Sequence, residues 1–178
     1  MKKLLLSLLV VALSLTQLMA QESSFSQGDK VINFGVGFGS TYYASYYSSH
    51  TPALSASLEV GVVDGILEKG SIGIGGYVGY SSAKWANYYK TSNIIVGARG
   101  SFHYPLVDKL DTYTGLLLGY NIYSYKYDAS YFGAKGSAGT ATFAWFAGAR
   151  YYFTDNIGVL AEVGYGIAYL TVGVSLKF

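Results

Sequence analysis

The sequence predicts an all-β protein, an eight-stranded antiparallel up-and-down transmembrane β-barrel. Three observations lead to this fold. Eight segments alternate large apolar residues with small or polar ones, and most are about ten to thirteen residues long, whereas strands of soluble proteins average five or six. The connections between them are alternately short and long. The chain ends on such a segment, Leu170 to Phe178, whose last residue is aromatic.

An export signal precedes the predicted barrel. Two lysines follow Met1, residues 4–15 are apolar but too few for a membrane-spanning helix, and Ala20 offers a small residue before a cleavage site. The alternative for this segment is an uncleaved anchor helix. We expect a cleaved signal peptide at residues 1–20, a short periplasmic tail at 21–29 and the barrel domain at 30–178.

The first four predicted strands are segments 30–39, 53–63, 70–81 and 92–104. The first alternates Ile, Phe and Val with Asn and Gly, and the second alternates Leu and Val with Ser and Glu. In the third, Ile, Val and Tyr face away from Gly and Ser, and in the fourth Ile94 and Val96 lie on the face opposite Arg99. The short connection after the second contains the turn signal Asp64-Gly65.

The last four predicted strands are segments 111–123, 141–153, 157–166 and 169–178. Asp155-Asn156 forms the short turn between the second and third of these. The connection around Gly166 to Tyr169 is nearly as tight, although it lies on the long-loop side. Ser124 to Tyr127 are expected to extend the strands beyond the bilayer as an exposed ribbon.

The loop lengths and the two faces predict the orientation. Bacterial barrels keep short turns in the periplasm and longer loops outside, so both termini are expected to be periplasmic. An eight-stranded lumen is only just wide enough to be filled by side chains, so the Gly and Ser face points inward and the large apolar face meets lipid. A soluble lipocalin-like barrel needs the opposite arrangement. Aromatic residues near the strand ends form two expected girdles: Tyr42, Tyr43, Tyr80, Tyr120 and Tyr165 outside, and Phe102, Tyr104, Tyr151 and Phe153 inside.

In these features the chain resembles the small OmpA/OmpX-type outer-membrane barrels of Gram-negative bacteria. The resemblance covers residues 30–178 and implies localisation in the cell outer membrane, with outer-membrane lipids and lipopolysaccharide as partners. It also implies that the C-terminal strand is read by the barrel-assembly machinery. The residues that match this assembly signal are Val172, Val174, Leu176 and Phe178.

Composition excludes several classes of function. Removing residues 1–20 takes away two lysines and leaves ten basic and ten acidic residues, so no basic surface for nucleic acid is expected. The chain has no Cys, which excludes disulfides, thiolate metal sites and a lipid-modified N-terminus. No His residues lie at ligand spacing, so we expect no metal and no cofactor.

Four charges interrupt the small-residue face: Glu59, Arg99, Arg150 and Glu162. Each lies a few residues from a short turn, so they are expected at similar depth in the lumen, where paired charges are far less costly than single ones. The interpretation we favour is a static plug of Glu/Arg pairs, as in OmpA-like barrels. The alternative is a gate for a narrow pore.

The outer connections are rich in Tyr and Lys and are candidates for surface contact, through a still unspecified extracellular ligand. The alternative is simple contact with lipopolysaccharide headgroups, with Lys meeting phosphate. The candidate contact residues are Tyr42, Tyr43, Tyr46, Tyr47, Trp85, Tyr88, Tyr89, Tyr125, Tyr127 and Tyr131.

Catalysis has little support in the sequence. Ser101 and His103 share a face, and Asp108 and Asp111 are near enough in sequence to orient the imidazole. The pair faces the lumen, however, where an acyl substrate has no access. The function predicted is therefore a non-enzymatic outer-membrane protein with an envelope-structural or surface-contact role. The alternative is a narrow porin-like channel for ions or very small solutes.

Overall fold

The computed structural model describes residues 24–39, 49–86, 89–128 and 133–178. The predicted signal peptide therefore lies outside the described residues, as do residues 21–23 of the predicted tail. Within the described ranges, no helix is both long enough and apolar enough to cross a membrane.

Eight antiparallel strands form one closed barrel in which each strand pairs with its neighbours in chain order. The last strand closes on the first, and Lys30 and Phe178 exchange backbone hydrogen bonds of 3.1 and 3.0 Å at the seam. The predicted up-and-down barrel is thereby confirmed. The strands are β1 Lys30–Phe38, β2 Ser49–Ile66, β3 Gly70–Trp85, β4 Tyr89–Val107, β5 Leu110–Tyr127, β6 Lys135–Tyr152, β7 Ile157–Tyr165 and β8 Leu170–Lys177.

The strands are staggered around the barrel. Following the strand pairing from Phe34 through β2 to β5 leads to Ala141 on β6. Following it the other way, through β8 and β7, leads to Tyr151, ten residues along the same strand. A barrel can close with such a stagger only if its strands tilt by about 35–45° from the axis. A row of paired residues therefore climbs along the axis from strand to strand.

Side-chain size separates the two faces as the sequence predicts. Phe34, Leu54 and Val174 are exposed on the outer surface, where a membrane protein meets lipid. Their neighbours Gly35 and Ser55 face inward, and a Cβ added at Gly35 would lie 2.9 Å from the Ser55 hydroxyl. The interior has room for small residues there and for little else.

Five strands are longer than the predicted segments, and the extension of β5 to Tyr127 agrees with the exposed ribbon predicted for Ser124 to Tyr127. β2 begins at Ser49, β3 ends at Trp85, β4 begins at Tyr89, β5 ends at Tyr127 and β6 begins at Lys135. The predicted long connections at 82–91 and 124–140 are therefore mostly strand. Backbone pairing continues through these polar residues because a ladder of hydrogen bonds does not require an apolar face.

We call this extended part of β2–β6 the raised wall. The end of the barrel at which it lies is the rim end. The opposite end, which has the short turns and the termini, is the turn end.

Candidate functional site

A cluster of four ionisable side chains fills the lumen near the turn end. Glu59 of β2 pairs with Arg150 of β6 and lies 3.1 Å from His103 Nε2. Asp111 of β5 lies 2.8 Å from His103 Nδ1 and 3.5 Å from Arg150 Nη1. All four side chains are buried. Burial of so many charges is tolerable only because each faces an opposite charge or a hydrogen-bond partner.

A second ion pair lies next to this cluster. Arg99 Nη2 donates to Glu162 Oε2 at 2.8 Å, and the Tyr113 hydroxyl donates to the same carboxylate oxygen at 3.2 Å. The Tyr113 ring also lies 4.6 Å from the Arg150 guanidinium. Tyr113 therefore joins the second pair to the first cluster, and the charges form one network across the lumen.

The structure brings all four of the charges predicted for the lumen into one network, as two ion pairs that Tyr113 joins. His103 and Asp111 complete the first cluster, although sequence reasoning considered them only for catalysis. Alternation placed His103 on the inner face, and the spacing of His103 and Asp111 across the short β4–β5 turn is the signal that could have found them. The Ser71–His103 and Asp111–Arg150 strand pairings make them neighbours of β3 and β6.

The same geometry argues against the catalytic pair. Both His103 nitrogens lie within hydrogen-bond distance of a carboxylate, so neither is left to accept a proton from Ser101. The Ser101 hydroxyl is buried without a hydrogen-bond partner, and Asp108 is exposed in the turn. Among the described residues, no group of His, Asp and Glu is arranged to hold a metal ion.

The segment before β1 closes the turn end. The described part of the predicted tail, residues 24–29, folds into the mouth of the barrel rather than hanging free. Phe25 is 1% exposed, and its ring stacks on His103 with centroids 4.1 Å apart. Ser71 Oγ donates to the Phe25 carbonyl at 2.9 Å, and Gly28 and Asp29 pair with the backbone of Gly61 at 3.0 and 2.9 Å. Sequence reasoning missed Phe25 because it is a single aromatic residue in a polar stretch.

An apolar layer closes the lumen above the charges. The tight β7–β8 connection turns Ile167 and Ala168 inward, where they pack with Ile95, Leu117 and Phe146. The Phe146 ring in turn lies 3.8 Å from the Arg99 guanidinium. A cavity of about 40 Å³ remains between this layer and the Arg99–Glu162 pair. That is room for about three water molecules.

Aromatic side chains line the inner face of the raised wall. Trp85, Tyr89 and Tyr127 are paired across β3, β4 and β5, and Trp85 is 54% exposed. The Tyr89 and Tyr127 rings lie 4.8 Å apart, and those of Tyr125 and Tyr127 6.0 Å apart. Tyr89 and Tyr123 share a hydrogen bond between hydroxyls. The other predicted contact residues, Tyr42, Tyr43, Tyr46, Tyr47, Tyr88 and Tyr131, lie outside the described residues.

Lysines occupy the opposite, outer face of the raised wall. Lys84 pairs with Lys90, Lys90 with Lys126, and Lys126 with Lys135. The four side chains are exposed and form one row across β3–β6, which we call the lysine ladder. The sequence does not reveal that these lysines are aligned, because their alignment follows only from the strand register.

The residues predicted as an assembly signal lie on the outer face of the closing strand. Val172, Val174 and Leu176 are exposed on β8, and Phe178 follows it and pairs with β1. The geometry leaves these side chains accessible along the seam. Their role in assembly stays a prediction.

Comparisons with known proteins decide what this architecture is. No family model and no curated protein matches the sequence. The N-terminal β-barrel domain of Pseudomonas aeruginosa OprF matches with a TM-score of 0.54 at 14% identity, over 85% of this chain and 98% of that one. The present chain has the OmpA/OmpX-type fold.

Two further solved structures resemble this barrel. Ail, the attachment invasion locus protein of Yersinia pestis, crystallised with the heparin analogue sucrose octasulfate, gives a TM-score of 0.53 at 13% identity over 85% of this chain and 99% of that one. A de novo designed transmembrane β-barrel gives 0.56 at 15% identity over 86% and 98%. At such identities the likeness extends to the fold alone.

Proposed function

We propose that this protein is a non-enzymatic outer-membrane barrel with a closed lumen, whose raised wall makes contacts at the cell surface. The observation that carries the proposal is the filling of the lumen by successive layers of side chains. Phe25 covers the turn end, the charge network lies behind it, and the layer around Ile167 closes the rim end. Both termini are then periplasmic, and the closing strand presents Phe178 to the assembly machinery.

The packing favours a plug over a channel. A conducting pore needs a continuous column of water, whereas the cavity beside Arg99 holds about three molecules. Opening a path would also require separating buried ion pairs, since Arg150 and Glu59 lie across the bore from one another. The lumen therefore acts as a rigid core that fixes strand register.

The raised wall supports the surface-contact role. Tyr and Trp provide large contact areas with few rotatable bonds, so little side-chain entropy is lost on binding. They lie on the inner face of the wall, while the outer face carries the lysines. The Ail structure contains a polysulfated sugar analogue, which makes polyanionic saccharides a reasonable class of surface partner for this chain too.

Single-channel recording tests the closed lumen. Residues 21–178 would be refolded, checked for a heat-dependent shift in gel mobility, and added to a planar bilayer beside a large porin as a positive control. We expect no current steps. Discrete steps that change with Arg99→Ala or Glu162→Gln, but not with Lys109→Gln in an exposed turn, would show instead that the protein is a narrow channel.

A further inference from the structure

A local turn bends the segment before β1 back into the mouth of the barrel. Asp29 N donates to the Ser26 carbonyl at 3.1 Å, and the Asp29 carboxylate accepts from Ser26 N at 2.9 Å. Gly28 lies between them with a φ of 94°, a backbone conformation that glycine adopts without steric cost. Because these bonds join residues three positions apart, the turn can form without any contact with the barrel. We call residues 24–29 the strap.

The strap is attached on both sides of the seam between β1 and β8. On the β2 side, Gln27 N donates to the Asp64 carboxylate at 2.7 Å. On the β8 side, the Lys177 ammonium donates to the Ser24 carbonyl at 3.2 Å and lies 3.8 Å from the Asp29 carboxylate. β1 lies between β2 and β8 in the ring. The strap therefore crosses the place where the last strand meets the first.

The seat of Phe25 is also built from strands that are far apart in the sequence. The Phe25 ring stacks on His103 of β4 and lies 5.6 Å from the Arg150 guanidinium of β6. Its carbonyl accepts a hydrogen bond from Ser71 of β3. Together with the bonds to β2 and β8, these contacts surround the strap with strands from the beginning, the middle and the end of the barrel.

This seat is complete only in the closed barrel. In an open sheet with the same strand order, β2 and β8 are six strand spacings apart, which is about 29 Å. Gln27 and Ser24, which bond to β2 and to β8, are three residues apart and span no more than about 11 Å when extended. The strap therefore cannot hold both strands until β8 has paired with β1.

Gly61 of β2 allows the strap to approach the barrel closely. Gly28 and Asp29 bond to the Gly61 backbone at 3.0 and 2.9 Å. A Cβ added at Gly61 would overlap the Ser26 carbonyl oxygen. An alanine at this position would therefore push the strap out of the mouth without altering any residue of the strap itself.

We propose that the strap is a lock, which docks only after the barrel has closed and then holds the β1–β8 seam shut. The seam pairs eight residues of β1 with eight of β8, against eighteen pairs across β4 and β5, so fewer backbone hydrogen bonds hold it. A contact made after the barrier to folding slows unfolding and leaves the folding rate unchanged. The strap therefore determines how rarely the finished barrel reopens, and it does not guide the strands into place.

Thiol labelling during refolding tests the order of events. The chain has no Cys, so Ser24→Cys introduces a single thiol at a position that is 7% exposed in the docked strap. Refolding in detergent micelles gives a water-soluble maleimide access to both ends of the barrel. The maleimide is added in pulses at successive times, and the heat-dependent gel shift measures closure in the same samples. Asp155→Cys, in an exposed turn at the same end, is the control.

We expect the thiol at position 24 to react until the gel shift appears and to be protected afterwards, whereas the control thiol reacts throughout. Protection that precedes the gel shift would overturn the proposal, because the strap would then dock on an open sheet. A thiol at position 24 that still reacts in the closed barrel as fast as the control would overturn it too, because the strap would not be docked.

Folding and unfolding rates test the lock itself. They are measured against urea in lipid vesicles by tryptophan fluorescence. Phe25→Ala should unfold roughly 100-fold faster and fold within about threefold of the unmodified rate, since the loss expected for a truncated buried Phe falls entirely on unfolding. Gly61→Ala should also accelerate unfolding alone. Gly76→Ala, whose Cβ meets no atom within 4 Å, is the matched control and should leave both rates unchanged. A Phe25 variant that folds 100-fold more slowly and unfolds at the unmodified rate would overturn the proposal.

Discussion

Replacing Glu59 by Gln removes a charge from the most buried part of the protein. Arg150 is 0% exposed and would keep one carboxylate, that of Asp111, 3.5 Å from its Nη1. The Tyr113 and Phe25 rings would remain 4.6 and 5.6 Å from the guanidinium. Breaking a buried ion pair typically costs 3–5 kcal/mol. Because Asp111 remains, we expect the free energy of unfolding to fall by about 3 kcal/mol. The measurement is urea unfolding of the refolded barrel in lipid vesicles, followed by tryptophan fluorescence.

Glu162→Gln is the matched control. The Glu162 side chain is 17% exposed, and its partner Arg99 would still lie 3.8 Å from the Phe146 ring. The expected loss is smaller, about 1–2 kcal/mol, because water and the aromatic face compensate the guanidinium in part. A Glu162 variant less stable than the Glu59 variant would contradict the reasoning.

A double-mutant cycle isolates the pair itself. Arg150→Met and Glu59→Gln would be measured singly and together. If the two groups interact as the structure shows, the double variant loses at least about 1.5 kcal/mol less than the sum of the two single losses. Losses that add to within about 0.5 kcal/mol would refute the pairing.

Three further predictions concern the seal, the glycines and the closing strand. Phe25→Ala should lower the free energy of unfolding by about 3 kcal/mol, as truncation of a buried Phe does. Gly73→Ala should also destabilise the barrel, because the added Cβ would lie 2.8 Å from a carboxylate oxygen of Glu59. Gly76→Ala is its control, because a Cβ there meets no atom within 4 Å. Urea unfolding compares the Phe25, Gly73 and Gly76 variants. Phe178→Ala should slow assembly in cells, measured by the heat-dependent gel shift over time, with equilibrium stability little changed because the ring is 62% exposed.

The part of the fold at the level of the membrane could be predicted because the two faces of each strand there have very different surroundings. Lipid outside and a narrow lumen inside force large and small residues to alternate, so β1, β7 and β8 were located to within one or two residues. Above the bilayer both faces meet water. The Ser, Thr, Tyr and Lys residues of the raised wall show no such contrast, and its strands were taken for loops except at Ser124 to Tyr127.

The site was predictable in part for a related reason. Charges such as Glu59 and Arg99 were noticeable because they interrupt a face of small residues. Phe25 and Ile167 interrupt no alternating pattern, since Phe25 lies before the first strand and Ile167 lies within a turn. Their burial depends on how the chain folds back over the two ends of the barrel, and a periodic pattern carries no information about that.

The two sides of the barrel differ in height, so the molecule is asymmetric around the barrel axis. β1, β7 and β8 have nine, nine and eight residues, whereas β2–β6 have sixteen to nineteen. The strands on this side are seven to eleven residues longer, which corresponds to roughly 18–28 Å along the barrel axis. A ring of equal height would form a well that admits only slender molecules. In this barrel the described strands rise on one side only, so the tyrosines of the raised wall face one direction. The direction that each barrel faces within the membrane plane therefore decides what these tyrosines can meet.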